Sequence, residues 1–406
     1  MHTNGRVKAL CPMPTNLVVI PYHDWRKISQ EGGRTRDAHL TEQCIAHPDI
    51  GCVLIINRPM TLPEMIYKQR SWKTPGQTLW QKDRARLVKI HDNAFVLDYF
   101  DRSLIGPIWD GKQSFLKAYG QPRFVQEIMA CLQRLQMEDA ACISFNLFAA
   151  DLVATLPARP KLFDAWDNFM RFPEHSPIRV KLMQAYQTYA RVADCWTTNS
   201  RSNRSFYTST FGVQHCLVIP NGVDPDKFST QYELPSDIDG IPRPIVGFGG
   251  KVTHLLDYAL LNYLTEANPE VSLVMVGQIL EKDIFRQIRK RSNLFYLGDK
   301  PYESYSAYVA AFDVCIIPYV VGEREHGGDS IKFYEYLAAG KPVVTTRIEG
   351  VSEEFGNTLI ADSHSQFSEM IRLALKTSAV RIQLPERITW KFKGNELVRL
   401  LQRPPG

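Results

Sequence analysis

Hydrophobic positions in the second half of the chain fall in short unbroken runs rich in β-branched residues: 217–220, 245–249, 272–276, 294–297, 314–318 and 343–346. Runs without in–out alternation predict strands buried on both faces. Between them, 255–266, 282–291, 302–312 and 330–339 carry apolar residues at helical spacing. The alternation predicts a doubly wound domain, a parallel sheet covered by helices, which binds ligands at the carboxyl ends of its strands. The first half repeats the pattern less regularly. Strands are predicted at 17–20, 52–56, 95–97, 142–145, 161–163 and 195–197. One helix is clear before the last of these, where Ile178, Leu182, Tyr186, Tyr189, Ala190 and Ala193 recur at helical spacing. Residues 59–92, rich in Lys, Arg, Gln and Trp, fit neither period and are not placed by the pattern; an insertion facing the acceptor is one reading. Pro220, Asn221, Gly222 and Pro225 punctuate the junction of the halves, which sets domains of 1–211 and 212–379. The stretch 387–402 predicts an amphipathic helix carrying Trp390, Phe392, Leu397 and Leu400.

A length of 406 residues, 44% hydrophobic and 22% charged, suits a globular protein of two or three domains. The eight cysteines, at 11, 44, 52, 131, 142, 195, 216 and 315, never adopt CxxC spacing. Neither a zinc site nor a disulfide framework is expected, and a reducing compartment is. The N-terminus lacks the apolar run and cleavage site of a signal peptide. The longest apolar stretches, 140–156 and 306–322, are broken by Asn146, Asp151, Asp313 and Pro318, so no membrane span and a cytoplasmic location are expected. The net charge of +5 is uneven: residues 1–205 hold 27 Lys+Arg against 19 Asp+Glu. A basic first half draws anionic substrates or a membrane surface, or is a solvated face. No nucleic-acid-binding motif accompanies it, so nucleic acid is not an expected partner.

The densest chemistry lies in GGDSIKFYEYLAAGKPVVTT (327–346). Asp329 or Ser330 can cap a helix that Gly340 ends, with Ile331, Tyr334 and Ala338 as its buried stripe. Gly327 and Gly328 let backbone approach a ligand, and a helix start beyond them suits a phosphate. Lys332 adds a charge for a diphosphate, and Glu335 can accept hydrogen bonds from two ribose hydroxyls. On spacing alone, Lys332 and Glu335 are equally a surface ion pair. Gly249, Gly250 and Lys251 follow a buried strand and form a second phosphate candidate, through backbone N–H groups and the ammonium. The dinucleotide fingerprint and the GxxxxGK[ST] loop are both absent.

Four segments resemble GT-B glycosyltransferases of the retaining family 4 kind, including those that build capsule, teichuronic acid or lipopolysaccharide. EYLAAGKPVVTT with its preceding lysine is similar to their nucleotide-sugar motif. VIPNGVDPDKF (218–228), PIVGFGGKVTHLLD (244–257) and FDVCIIPY (312–319) resemble, in order, the interdomain signature, the first strand and phosphate loop of the donor domain, and a later strand. Looser likenesses are VVIPYHDW (18–25), KLFDAWDNF (161–169) and TWKF (389–392). The resemblance implies an α/β GT-B fold: two Rossmann-like domains facing across a cleft, with residues 380–406 crossing back onto the N-terminal one. It implies a UDP- or GDP-sugar donor as co-substrate and no resident cofactor. No metal-ligand cluster is seen in the sequence, so no tightly bound metal is expected, and the basic first half fits a lipid-pyrophosphate or anionic glycan acceptor at the inner membrane face. One departure stands out. Family 4 enzymes usually carry a glutamate eight residues before the ribose-binding one, and that position is Gly327 here. Glu325, His326 or Asp329 would have to substitute.

Across the cleft, Gly32, Gly33 and Arg34 form a loop that can reach the donor phosphates, or a flexible turn; Arg36 can also pair an anion. Asp164 and Asp167 follow a strand and can serve as general base or hold an acceptor hydroxyl; Asp167 can instead cap a helix. His23 and Asp24 have a similar case, and His326 can polarise a donor oxygen. Trp72, Trp80 and Trp109 suit a membrane interface, a sugar or the core. A nucleotide-sugar epimerase of the same fold and a non-catalytic sugar-nucleotide-binding protein are the alternatives to a transferase.

Overall fold

The computed structural model describes residues 14–103, 113–229, 232–322, 328–376 and 383–402. Two sheets organise the chain. The first runs in the order β10-β9-β8-β7-β1-β2-β6-β5-β4, with the short β3 (Met60–Thr61) beside β6. At its centre are β1 (Thr15–Ile20), β2 (Ile50–Ile56) and β7 (Ala141–Ser144), all parallel. Outward on one side lie β8 (Lys161–Asp164), β9 (Cys195–Thr198) and β10 (Cys216–Val218), and on the other β6 (Ala94–Asp101), β5 (Ala85–His91) and β4 (Gln77–Lys82). The second sheet is wholly parallel, in the order β13-β12-β11-β14-β15-β16: Leu294–Tyr296, Ser272–Val276, Ile245–Gly249, Val314–Ile317, Val343–Thr346 and Thr358–Ala361. This is an α/β protein of two Rossmann-like lobes, the GT-B architecture.

Burial follows from the runs. In β1, Leu17 and Val19 pack on one face, while Val18 and Ile20 pack on the other. β11 is sided differently: Val246 and Phe248 fill one face, and Gly247 and Gly249 leave room on the other. A Cβ at Gly247 would overlap the Phe312 ring, and one at Gly249 the Tyr305 ring. Trp390, Leu397, Val398 and Leu401 of the C-terminal helix Trp390–Leu401 pack in the first lobe's core with Leu17 and Val19. Asn221 and Gly222 lie at the crossing, where Val223 pairs with Thr389.

Two expectations change. The run at 217–220, read with the second half, gives β10, which pairs with Trp196–Thr198 of β9; the first sheet therefore extends past residue 211. Residues 59–92 form no insertion over a substrate. They supply a short helix (Leu62–Lys68) and the antiparallel hairpin β4–β5 at the sheet's far edge. β4 shows nearly every side chain to water, which hides its period. Trp80 packs partly against the core, Trp72 is half-buried, and Trp109 lies outside the described residues. β16 went unread because its run is short and ends in Ala361-Asp362. Among the described residues, no helix is long and apolar enough to cross a membrane.

Candidate functional site

In each sheet the strand order reverses beside the first strand, between β1 and β7 and between β11 and β14. Crevices open at such points, at the strands' carboxyl ends. Here both lobes line one cleft of about 1090 Å³. From the second lobe come Gly249, Gly250 and Lys251 after β11, Tyr319 after β14, and Gly328 to Lys332 and Glu335 around the helix Ile331–Ala338.

The cation end is compact. Lys332 Nζ donates to the Tyr319 hydroxyl at 2.6 Å and lies above its ring, 4.6 Å from the centroid. A Cβ on Gly250 would stand 2.8 Å from Lys332 Cε, so the glycine lets this lysine lie along the loop. Lys251 makes no ion pair among the described residues. Burial, followed by repulsion from Lys27 and Arg34, lowers its ammonium to about 8. Ser330 occupies the N-cap position of the helix without a side-chain cap bond; of the first turn's N–H groups, that of Phe333 bonds to Ser330 O, while Ile331 and Lys332 line the cleft at the helix's positive end.

Glu335 is 4% exposed and accepts a hydrogen bond from the Tyr302 hydroxyl at 2.8 Å. Burial raises its carboxyl to about 7, against the pull of Tyr302 and Lys332. This is no surface pair. The helix buries Phe333 through Leu337, whereas Ile331 and Ala338 are only half-buried, so the stripe differs from the expected one. Gly340 does end the helix, at φ 69°.

On the facing wall, His23 and Asp37 form a pair. The His23 backbone N–H donates to Asp37 Oδ2 at 2.8 Å, and Nδ1 lies 3.1 Å from Oδ1. Burial opposes charge on Asp37, but His23 and the Thr35 hydroxyl hold its carboxyl far below the usual range. In the neutral tautomer that donates Nδ1–H to Asp37, Nε2 is the acceptor nitrogen of this cleft-lining ring.

Residues 245–377 match the family model described as Glycosyl transferases group 1. The second lobe carries a glycosyl transferase group 1 domain. The chain is also 26% identical over 148 residues to TuaH of Bacillus subtilis (strain 168), a putative teichuronic acid biosynthesis glycosyltransferase; the match spans 36% of this chain and 37% of that protein. Solved structures extend the likeness of fold to both lobes. HepE of Anabaena, in complex with UDP and glucose, superposes with a TM-score of 0.64 at 17% identity, covering 96% of this chain and all of that one. The trehalose-6-phosphate synthase OtsA gives 0.70 at 12% identity, covering 97% and 100%. A UDP-forming α,α-trehalose-phosphate synthase from Burkholderia xenovorans, in complex with glucose-6-phosphate, gives 0.66 at 13% identity, covering 96% and 100%.

Within the glycosyl transferase group 1 domain, the phosphate loop works otherwise than expected. The Gly249 N–H donates to the Tyr336 hydroxyl at 2.8 Å and the Gly250 N–H to Val276 O, so neither amide is left for a phosphate. The glycines provide room, and the side chains of Lys251 and Lys332 provide charge. Asp329 is 5% exposed. Its carboxylate takes hydrogen bonds from the Asn221 N–H and Nδ2 and from the Tyr334 hydroxyl, so it neither caps the helix nor replaces the missing glutamate. His326, Glu325 and Gly327 lie outside the described residues.

In the first lobe, Asp164 is fully buried behind the wall. It receives Arg36 Nε and Nη2 at 3.0 and 2.8 Å and the Thr197 hydroxyl at 2.7 Å, which rules it out as a base facing substrate. Arg36 is thereby bound rather than offered to an anion. Asp167 lines the cleft; the adjoining cap is Asn168. Asp24 is taken up by the Arg58 N–H and the Arg26 guanidinium. Gly32 and Gly33 abut Tyr302 and Glu42 instead of lining the cleft. Arg34 does line it, bridging Glu31 and Asp299 of the other lobe. Sequence reasoning missed Lys27, Tyr302, Gln278, Asn199 and the aromatic wall after β8. Trp166 and Phe169 stood within the KLFDAWDNF segment, but nothing local marked which of its residues face the cleft. No group of three or more His, Cys, Asp or Glu arranged to hold a metal occurs among the described residues.

Proposed function

We propose that this protein transfers a sugar from a nucleotide-diphosphate donor, a UDP- or GDP-sugar, to a hydroxyl of a glycan or lipid-linked acceptor in cell-surface polysaccharide synthesis. One observation carries the reading: Lys251, Lys332 and a helix start stand with the buried Glu335 at one end of an interlobe cleft. The likeness to TuaH supports the polysaccharide role. The donor diphosphate lies against the two ammonium groups and the helix start, and Glu335 accepts from the ribose hydroxyls. As the bond from the anomeric carbon to the diphosphate oxygen breaks, its electron pair leaves with the diphosphate, where the cations stabilise the charge. The acceptor oxygen bonds to the anomeric carbon and its proton passes to Nε2 of His23, with Asp37 holding the ring; Asp167 orients the hydroxyl. A lipid-linked acceptor would bring the protein to the inner membrane face, where the surplus basic charge of residues 1–205 favours anionic lipid.

Isothermal calorimetry with UDP, GDP and their glucose and mannose esters tests the donor assignment. One nucleotide series should bind. Lys251→Ala and Lys332→Ala should each weaken that binding roughly 10- to 100-fold, since a charged hydrogen bond contributes about 1.5–3 kcal/mol. Absence of binding by both series, or unchanged affinity in both variants, would overturn the reading. Turnover that needs no acceptor and yields an epimer would replace transfer with epimerisation.

A further inference from the structure

Gly32 does not line the cleft, yet it rests on a residue that serves it. It ends the helix Trp25–Glu31 at φ 69°, a conformation that suits a residue without a Cβ. A Cβ there would stand 3.1 Å from Tyr302 Cβ, so first-lobe backbone sits directly on the start of the second-lobe helix Tyr302–Ala311. A second group of the first lobe meets the same residue. His39, in the helix Arg36–Ala46, stacks on Trp390 at 4.6 Å and meets the Tyr302 ring edge to face at 5.5 Å. Burial, then Lys227, lowers the His39 imidazole to about 3, so it packs here as a neutral ring. The Lys227 ammonium lies over the tyrosine, 3.8 Å from its centroid. Tyr302 is thus buried and gripped from both lobes.

The other end of that ring reaches the site. The Tyr302 hydroxyl donates to Glu335 Oε1 at 2.8 Å, and no other side chain among the described residues donates to this carboxylate. An ionised carboxylate has roughly four lone-pair positions. Tyr302 occupies one of them, which fixes the rotation of the group and leaves the others for ribose hydroxyls.

We propose that Tyr302 is a positioning residue for Glu335, held in that role by Gly32 and His39, so that the second lobe grips ribose fully only while the first lobe is docked on it. The inference rests on the ribose-binding reading of Glu335 and adds an interlobe coupling to it. Such coupling is reciprocal: a nucleotide that needs the docked Tyr302 also favours the docking. It gives Gly32 a reason that does not involve phosphate, since a side chain at this position presses on Tyr302.

Isothermal calorimetry on the full chain with UDP and 2′,3′-dideoxy-UDP, or with the GDP pair if that series binds, reads the ribose contribution as a ratio of affinities. The native chain should favour the ribonucleotide roughly tenfold or more, and Tyr302→Phe, which keeps the ring, should bring the ratio to about threefold or less. The dideoxynucleotide should lose little. A merely structural tyrosine would weaken both nucleotides alike and keep the ratio. The pH profile is a second readout. Glu335 faces Lys332 and Lys227, and also the Tyr305 and Tyr336 hydroxyls, which burial keeps protonated. The bond from Tyr302 helps to hold its carboxyl down, so Tyr302→Phe should move the rise of affinity with pH to higher pH. Gly32→Ala and His39→Leu, both in the other lobe, should each reduce the ratio severalfold, again with the dideoxynucleotide little changed. A ratio unmoved by Tyr302→Phe, or a pH profile that fails to move up, would overturn the positioning role. A ratio unmoved by both first-lobe variants would overturn the coupling. Equal binding of the two nucleotides by the native chain would instead overturn the ribose reading, and this inference with it, which separates the failures.

Discussion

Glu335 shows how far a carboxylate is set by its surroundings. From spacing it belongs equally to a surface pair worth about 0.2–0.5 kcal/mol. In the fold it is buried and bonded to Tyr302, and burial lifts it to about 7. An ionised carboxylate accepts from two ribose hydroxyls, whereas the acid gives up part of that capacity. Nucleotide affinity should therefore rise with pH through about 7 and level off above it. Calorimetry between roughly pH 5.5 and 8.5 should show this slope in the native chain and lose it in Glu335→Gln. Folding responds in the opposite sense. The unfolded carboxyl titrates near its ordinary value of about 4.3. Between there and about 7 the folded state binds more protons, so this group's contribution to stability falls as pH rises through that window. Ligand-free Glu335→Gln should accordingly melt above the native chain at pH 8 and close to it at pH 4, which scanning calorimetry can check.

At the scale of elements, the parallel core was legible and the edges were not. Ile245–Gly249, Ser272–Val276 and Val343–Thr346 have the bounds their runs imply, because a strand buried on both faces excludes charged side chains and takes apolar or small hydroxyl-bearing residues throughout. The β4–β5 hairpin escaped notice because an edge strand satisfies water as much as the core. β11 also carries information that composition alone would misread. Its glycines suggest a phosphate loop, yet Gly247 lies inside the strand and makes way for Phe312. Gly247→Ala should cost about 1–3 kcal/mol through overpacking, seen as a lower urea midpoint with nucleotide affinity little changed. Gly249→Ala presses on Tyr305 at the cleft itself, so it should lower both stability and affinity. Equal effects of the two on affinity would show that the strand, and not its cleft end, governs binding.

For the whole molecule, the question is what fixes one lobe against the other. A buried polar chain runs between them: Thr197 to Asp164, Asp164 to Arg36, Arg36 Nη1 to Asn221 Oδ1 at 3.1 Å, and Asn221 Nδ2 to Asp329 Oδ1 at 2.6 Å. Asn221 could be read in the PNG segment, but its partners lie 185 residues before it and 108 after it in sequence, so no local pattern shows them. Asp164 was expected at the reacting centre for the same reason: a carboxylate after a strand looks alike whether it meets substrate or an arginine. Breaking the buried pair with Arg36→Met leaves Asp164 without its charge partner and should cost about 3–5 kcal/mol, much of it recovered in Arg36→Met/Asp164→Leu. Asn221→Ala asks more of the molecule. It leaves the Arg36–Asp164 pair intact and removes the Asn221 side-chain bonds to Arg36 and to Asp329, keeping only the backbone N–H bond to Asp329, whose carboxyl burial has raised to about 6. If those side-chain bonds hold the lobes together, spin labels placed on exposed Ser205 and exposed Glu353 should report a broader distance distribution in the ligand-free variant than in the native chain. Nucleotide should narrow it again, because a ligand that bridges the cleft favours the closed arrangement by its differential affinity. A distribution unchanged by the substitution would assign the lobes' fixed relation to the C-terminal helix and to Arg34–Asp299 instead.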